Sequence, residues 1–239
     1  MLNVKRFYRY SSLFPIYCLI IAGFILLAVC GSSAVSVFYS NTPILERKTV
    51  IIDAGHGGED GGATSCTGVL ESSLNLEIAI KLNDFLHLLG LNTLMIRDGD
   101  YSVYTKGETL GEKKISDLKE RVRIINSTKN AILISIHQNY FSDSKYHGAQ
   151  VFYASTNGSR ELANALQDNL RRLDTTNKRQ CKMISGIYLL QNISCPGILV
   201  ECGFLSNISE EALLRNNHYQ NMLCAVIGTT CSNFCNSRT

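Results

Sequence analysis

The longest apolar stretch of the chain comes first. Leu13 to Cys30 (LFPIYCLIIAGFILLAVC) runs for eighteen residues without a charge, after Lys5, Arg6 and Arg9. That length sits at the lower edge of what crosses a bilayer as a helix. The basic flank predicts an N-terminus held in the cytoplasm and an exported remainder. A cleaved signal peptide is the competing reading, because Ser33-Ala34-Val35-Ser36 offers small residues to a peptidase. The resulting division is a basic tail over 1–12, a transmembrane anchor or signal segment over 13–36, a polar linker over 37–47 and one domain over 48–235.

Beyond the linker the pattern switches between short apolar runs and helical spacing. Lys48 to Asp53 (KTVIID) reads as a buried strand and opens into Ala54 to Ala63, a loop holding five glycines. From Glu71 to Leu89, Leu74, Ile78, Leu82, Phe85, Leu86 and Leu89 share one helical face, and Gly90 supplies a C-terminal stop. Leu91 to Ile96 is the next strand, and residues 98–115 read as an exposed loop. A loose capping box at Ser116 to Glu120 then starts a helix carrying Val122, Ile124 and Ile125. Ala131 to Ile136 (AILISI) is an apolar strand that ends at His137, and Ala149 to Tyr153 alternates as another. Arg160 to Leu173 is an amphipathic helix, Gly186 to Leu190 and Gly197 to Val200 read as strands, and Glu210 to Gly228 is a closing helix. Strands alternating with helices of this length predict an α/β fold: a mostly parallel, twisted sheet flanked by helices.

Composition narrows the function classes. Of 239 residues, 45% are hydrophobic, enough for a real core. The net charge of +3 equals the contribution of Lys5, Arg6 and Arg9, which leaves the domain near neutral. A nucleic-acid partner is therefore not expected, since phosphate binding requires a basic face. Nine cysteines form no C-x-x-C pair, which argues against a zinc ribbon or a thioredoxin-type motif. Unpaired buried thiols are the simpler reading, with a bridge among Cys224, Cys231 and Cys235 left open.

Chemistry gathers at strand ends. His56 follows VIID, His137 follows ILISI and Glu201 follows GILV. Residues just beyond the carboxyl ends of strands point into the functional crevice of α/β folds. The loop DAGHGG lacks the Gly-Lys-[Ser/Thr] ending of a Walker motif and the spacing of a dinucleotide fingerprint. Its glycines instead suit a backbone turning tightly around a ligand residue. Two histidines and one carboxylate form a known catalytic zinc set, and His56 and His137 are the two best placed. His87 lies mid-helix, whereas His147 and His218 sit among polar neighbours. Glu71, opening a helix, is the natural carboxylate; Glu59, Asp60 and Glu77 stay in competition on the residues alone.

The segments IIDAGHGGEDGGA, GVLESSLNLEIA, LISIHQN and ILVECGFLSNISEE occur in that order. They resemble the motifs of the zinc-dependent N-acetylmuramoyl-L-alanine amidases, the amidase_3 group of cell-wall hydrolases, from about Lys48 to the final helix. The resemblance implies zinc (Zn2+) as cofactor, held by His56, Glu71 and His137, with Glu201 as the catalytic glutamate. Arg97, Arg121 and Asn126 fit the group's R…R…N pattern. The stretch from Tyr101 to Asp117, with GAQVFYASTNGSRELANALQDNLRR and GIYLLQNISCPGILVE, is similar to the germination-specific members of spore-forming bacteria. Cys202 stands where the group more often has Val, and Gln138-Asn139-Tyr140 varies around small residues. Nothing marks Cys202 as an activated nucleophile, so packing is the reading preferred.

The resemblance implies a peptidoglycan substrate, cut at the amide between N-acetylmuramic acid and L-alanine on the way to muramic-δ-lactam in the spore cortex. The N-terminal segment with its basic flank predicts a catalytic domain on the outer side of the cell membrane, or secreted if the segment is cleaved. An activating protein partner is an open place that no motif fills. The rivals are a general wall amidase, a zinc carboxypeptidase acting on stem peptides, and a catalytically silent wall-binding protein. Intact His56, Glu71, His137 and Glu201 speak against the last.

Overall fold

The structure is a computed structural model that describes residues 48–237. The basic tail, the anchor or signal segment and the whole linker lie outside them. Among the described residues no helix is long and apolar enough to cross a membrane.

The elements run β1 (Thr49–Ala54), α1 (Glu71–Leu88), β2 (Asn92–Met95), α2 (Leu110–Ser127), β3 (Ala131–Asn139), β4 (Gln150–Tyr153), α3 (Ser159–Leu173), β5 (Lys182–Met183), α4 (Tyr188–Asn192), β6 (Gly197–Phe204), α5 (Ile208–Leu214) and α6 (Asn217–Asn236). They build one six-stranded sheet of order β2-β1-β3-β6-β4-β5. β1 lies parallel to β2 and β3, β3 to β6, and β4 to β5; the β4–β6 pair alone is antiparallel, so β4 and β5 run against the other four strands. The expected mostly parallel α/β sheet is the one observed.

Alternation along the central strands sorts side chains onto two faces. Ile52, Ile134, Ile136 and Val200 pack with Leu74 and Ile78 of α1, Leu166 of α3 and Leu223 of α6. Ile51, Leu133 and Leu199 pack on the other face with Ile125 of α2 and with Leu189 and Leu190 of α4. The central strands are buried on both sides, which is why they read as continuous apolar runs.

Three expectations are corrected. The helix expected from Ser116 starts a turn and a half earlier, at Leu110. Thr109 there accepts from the Glu112 amide while the Glu112 carboxylate accepts from the Thr109 amide, a complete capping box. The Ser116 hydroxyl accepts instead from the amides of Thr105 and Lys106, pinning the preceding loop. Residues expected as a strand over 186–190 give the short helix α4; a brief apolar run buried on one side does not distinguish the two by periodicity. The closing helix is two helices, α5 and α6, because Asn207 and Asn216 each cap a new start through their side-chain oxygens. The seven described cysteines are free, and Cys202, Cys224, Cys231 and Cys235 are buried as apolar fillers.

Candidate metal centre

The parallel sheet brings the carboxyl ends of β1, β3 and β6 to one rim, and α1 aims its N-terminus there. His56 lies two residues beyond β1 and adopts φ +62, a left-handed backbone that few non-glycine residues take. The turn is closed by paired Gly57–Asp60 backbone hydrogen bonds of 2.8 and 3.1 Å. Glycine is required nearby on two counts. A Cβ at Gly55 would stand 2.2 Å from the His137 ring, and one at Gly62 (φ +68) would stand 2.6 Å from Glu71 Oε2. The loop is shaped so that backbone, not side chain, lines the space around these residues.

His56, Glu71 and His137 each offer one ligand atom, and these atoms lie within 4.8 Å of one another. His56 Nε2 stands 3.3 Å from Glu71 Oε2, and His137 Nδ1 is 2.9 Å from Glu71 Oε1. The two imidazoles meet edge to face at 5.1 Å between centroids. Glu71 is buried at the first position of α1, where the helix N-terminus favours negative charge. Its oxygens also accept from the amides of Ala63 (3.0 Å) and Gln138 (3.2 Å) and from Asn75 Nδ2 (3.3 Å).

Of the competing carboxylates, Asp60 Oδ2 holds the other ring nitrogen, His56 Nδ1, at 2.8 Å. Glu59 pairs with Lys113 and Glu77 with Lys81, away from the cluster. His87, His147 and His218 are exposed.

Electrostatics follow from this crowding. Burial works against a charged His56, but hydrogen bonds to Asp60 and Glu71 overcome it and raise its pKa to about 9. Burial opposes an ionised Glu71 too, yet His137 and His56 hold its carboxyl far below the usual range. Two imidazoles around one ionised carboxylate, on a backbone cradle that any Cβ would fill, fit the donor set of a catalytic zinc site built from two histidines and a carboxylate.

Glu201 is paired in register with His137 across β3 and β6. The residue is only half-buried, but its Oε2 is fully shielded and has no hydrogen-bond partner. Burial raises its pKa to about 7, against the pull of His137 and with a further push from the Glu71 charge.

Two buried arginines hold this rim from beneath. Arg97 donates to the carbonyls of Ala54 (2.8 Å), Gly55 (3.0 Å), Ser72 (2.9 Å) and Gly99 (2.9 Å). Arg121 donates to Asp117 (2.6 Å), to Asp53, and to the carbonyls of Ala54 (2.9 Å) and His56 (2.8 Å). Burial alone would raise the Asp53 carboxyl; Arg121 and a hydrogen bond from Ser135 keep it below the ordinary value. Asn126 serves elsewhere, joining α2 to the Asn192 carbonyl and the Ser194 amide after α4. Motif reading alone did not show what Arg97 and Arg121 touch, nor that Asn75 and Asp60 brace the cluster. A signal was present in the spacing of Asn75 four residues after Glu71 and of Arg121 four after Asp117, both helix neighbours.

The chain's sequence and fold match known proteins. Residues 50–230 fit the Amidase_3 family model, described as N-acetylmuramoyl-L-alanine amidase. The germination-specific N-acetylmuramoyl-L-alanine amidase of Bacillus subtilis is 40% identical over 185 residues, covering 77% of this chain and 78% of that protein. Among solved structures, the CwlD amidase from Clostridioides difficile in complex with the GerS lipoprotein superposes with TM-score 0.76 at 37% identity, covering 80% of this chain and all (100%) of that one. An N-acetylmuramoyl-L-alanine amidase from Clostridium difficile 630 gives 0.71 at 30% identity, over 81% of this chain and 99% of that one. With its motifs gathered at one rim of the matching fold, the chain belongs to the Amidase_3 family of N-acetylmuramoyl-L-alanine amidases.

Proposed function

We propose that the protein hydrolyses the amide between the lactyl group of N-acetylmuramic acid and L-alanine with a zinc ion held by His56, Glu71 and His137. The observation that carries the reading is the meeting of these donors, from three separate segments, within 4.8 Å. Bound there, zinc supplies Lewis acidity for the scissile carbonyl and for the attacking water. Asp60 fixes the His56 ring through Nδ1 and leaves Nε2 turned to the site. Glu201 Oε2 takes a proton from the attacking water and hands it to the departing amine of L-alanine. A carboxylate with no protein hydrogen bond to give up and a pKa near 7 suits both halves of that transfer.

The test is zinc analysis of the purified full chain with muropeptide digestion. The expected products are a free muramic-acid lactyl carboxylate and a peptide starting at L-alanine. Release of D-alanine instead would identify a carboxypeptidase and overturn the reading.

The resemblance to germination-specific amidases further supports a role in spore-cortex muramic-δ-lactam formation, by an exported enzyme anchored through residues 13–36 or released by cleavage. Spores lacking the protein are expected to lack cortex muramic-δ-lactam; an unchanged cortex muropeptide profile refutes that role. The relative solved with a lipoprotein supports a protein partner for this chain as well, checked by co-purification from solubilised membranes.

A further inference from the structure

On the far side of Glu201 the rim holds a cation that the mechanism leaves unused. Gln150 of β4 is the direct antiparallel partner of Glu201, and directly opposed residues project from the same face of a sheet. Arg179 stands on that Gln150. Its Nη1 donates to Gln150 Oε1 at 3.0 Å, its Nε to the His147 carbonyl at 2.8 Å, and its guanidinium lies 4.4 Å over the Phe204 ring. Three contacts from three segments orient a flexible side chain, yet none is a carboxylate.

The two buried arginines differ. Arg121 meets two aspartates, and Arg97 spends its donors on four carbonyls. Among the described residues, Arg179 has no ion pair, and its Nη2 has no acceptor. Glu210, the acid whose charge favours the Arg179 cation, is committed to the amides of Gly148 and Phe204, each at 2.8 Å. Burial accordingly lowers the Arg179 pKa, with only partial relief from Glu210. A pre-oriented, partly desolvated guanidinium with a free edge is an anion site.

We propose that Arg179 binds the α-carboxylate of the second stem residue, D-isoglutamate, and so selects stems in which that group is not amidated. The assignment rests on the amidase reading. Two extended residues span roughly 7 Å, the reach from the scissile amide to that carboxylate. One strand spacing of about 4.8 Å, plus the Gln150 side chain, carries the rim from Glu201 to Arg179. Glu201 and Arg179 thus stand at the two ends of the first stem dipeptide.

The experiment uses the zinc-loaded full chain and disaccharide tetrapeptides that differ only at stem position two, D-isoglutamate against D-isoglutamine. A second pair differs only in amidation of the position-three side-chain carboxylate. For the wild type, kcat/KM is expected to favour the position-two acid by about tenfold, mostly through KM. In Arg179→Gln that ratio falls to near one, and in Arg179→Lys part of it returns. Because the result is a ratio within one variant, a general loss of folded enzyme does not imitate it. An equal rate on both wild-type substrates, a preference that follows position three, or a ratio surviving in Arg179→Gln each overturns the assignment. If neither position-two substrate is cut, the amidase reading itself fails and the anchor falls with it.

Discussion

The two halves of the rim are built on opposite principles. On the side of β1, α1 and β3 the charged groups of the cluster are all paired, and Gln138 Oε1 is the one buried side-chain atom among the described residues there without a partner. His56 is held at both ring nitrogens, Glu71 accepts from two imidazoles, two amides and Asn75, and Arg97 and Arg121 tie down the carbonyls beneath. On the side of β6 and β4, Glu201 Oε2 has no partner and Arg179 has no carboxylate. Buried polar groups are normally paired, and an exception calls for an explanation. The saturated half can hold a fixed geometry before any ligand arrives. The unsatisfied half keeps its free energy for groups that come with the substrate and the reaction.

Substitution at Glu201 separates the halves most sharply. Glu201→Gln is expected to lower kcat by about 10²–10⁴-fold while zinc content stays at the wild-type level. His56→Ala should lose the metal and the activity together. Loss of zinc in Glu201→Gln would move Glu201 into the ligand set and erase the division between halves.

The saturated half should yield to the removal of its clamp. Arg121→Leu leaves Asp53 and Asp117 without their cation in a buried site. The expected loss is about 3–5 kcal/mol in urea unfolding. Adding Asp53→Asn to that variant should restore part of it, since one of the stranded charges is gone. Equal stability of the single and double variants would mean that the clamp acts on backbone carbonyls alone.

Much of this division was legible in the residues, and its limits are physical. β1, β3 and β6 announce themselves because strands buried on both faces are apolar, and the apolar run of each leads into a chemically capable side chain: His56 just past β1, His137 and Glu201 inside β3 and β6. The place of Glu71 in the cluster was less legible: on the residues alone Asp60 competed with it, and it is the turn closed between Gly57 and Asp60 that brings Asp60 to Nδ1 of His56 instead. Arg97 and Arg121 stood out by motif, but their partners are carbonyls, which carry no residue identity. Arg179 carried no motif at all, because its place depends on β4 reversing against β6. The early start of α2 was hidden in a loop whose Thr109 and Glu112 form their box three residues apart.

In the metal-free protein, pH discriminates the halves in a second way. The Glu201 pKa is raised to about 7, against about 4.3 for an unfolded glutamate. A group raised on folding favours the native state fully below its unfolded pKa and loses that contribution as pH rises through the folded one. Between pH 5 and pH 8 the chelated wild type should therefore lose on the order of 2 kcal/mol more stability than Glu201→Gln, which has no charge to bury. Parallel pH profiles for the two proteins would show that Glu201 finds solvent or a partner when it ionises.

The smallest effect tests how redundant the saturated half is. Asp60 is partly exposed and also holds Lys114 and the Gly62 amide, so its removal leaves Glu71 still facing His56. Asp60→Asn keeps the shape but can present its amide NH to Nδ1, which drives the imidazole proton to Nε2, the atom turned to the site. Carboxylates behind liganding histidines typically contribute 10–100-fold in metal affinity, and this exposed one is expected at the lower end, about tenfold by zinc competition. The unfolding midpoint of the chelated protein should move far less than in Arg121→Leu. Wild-type zinc affinity in Asp60→Asn would mean that the turn closed by Gly57 and the contact with Glu71 set the ring between them, and that the saturated half is braced beyond what metal binding needs.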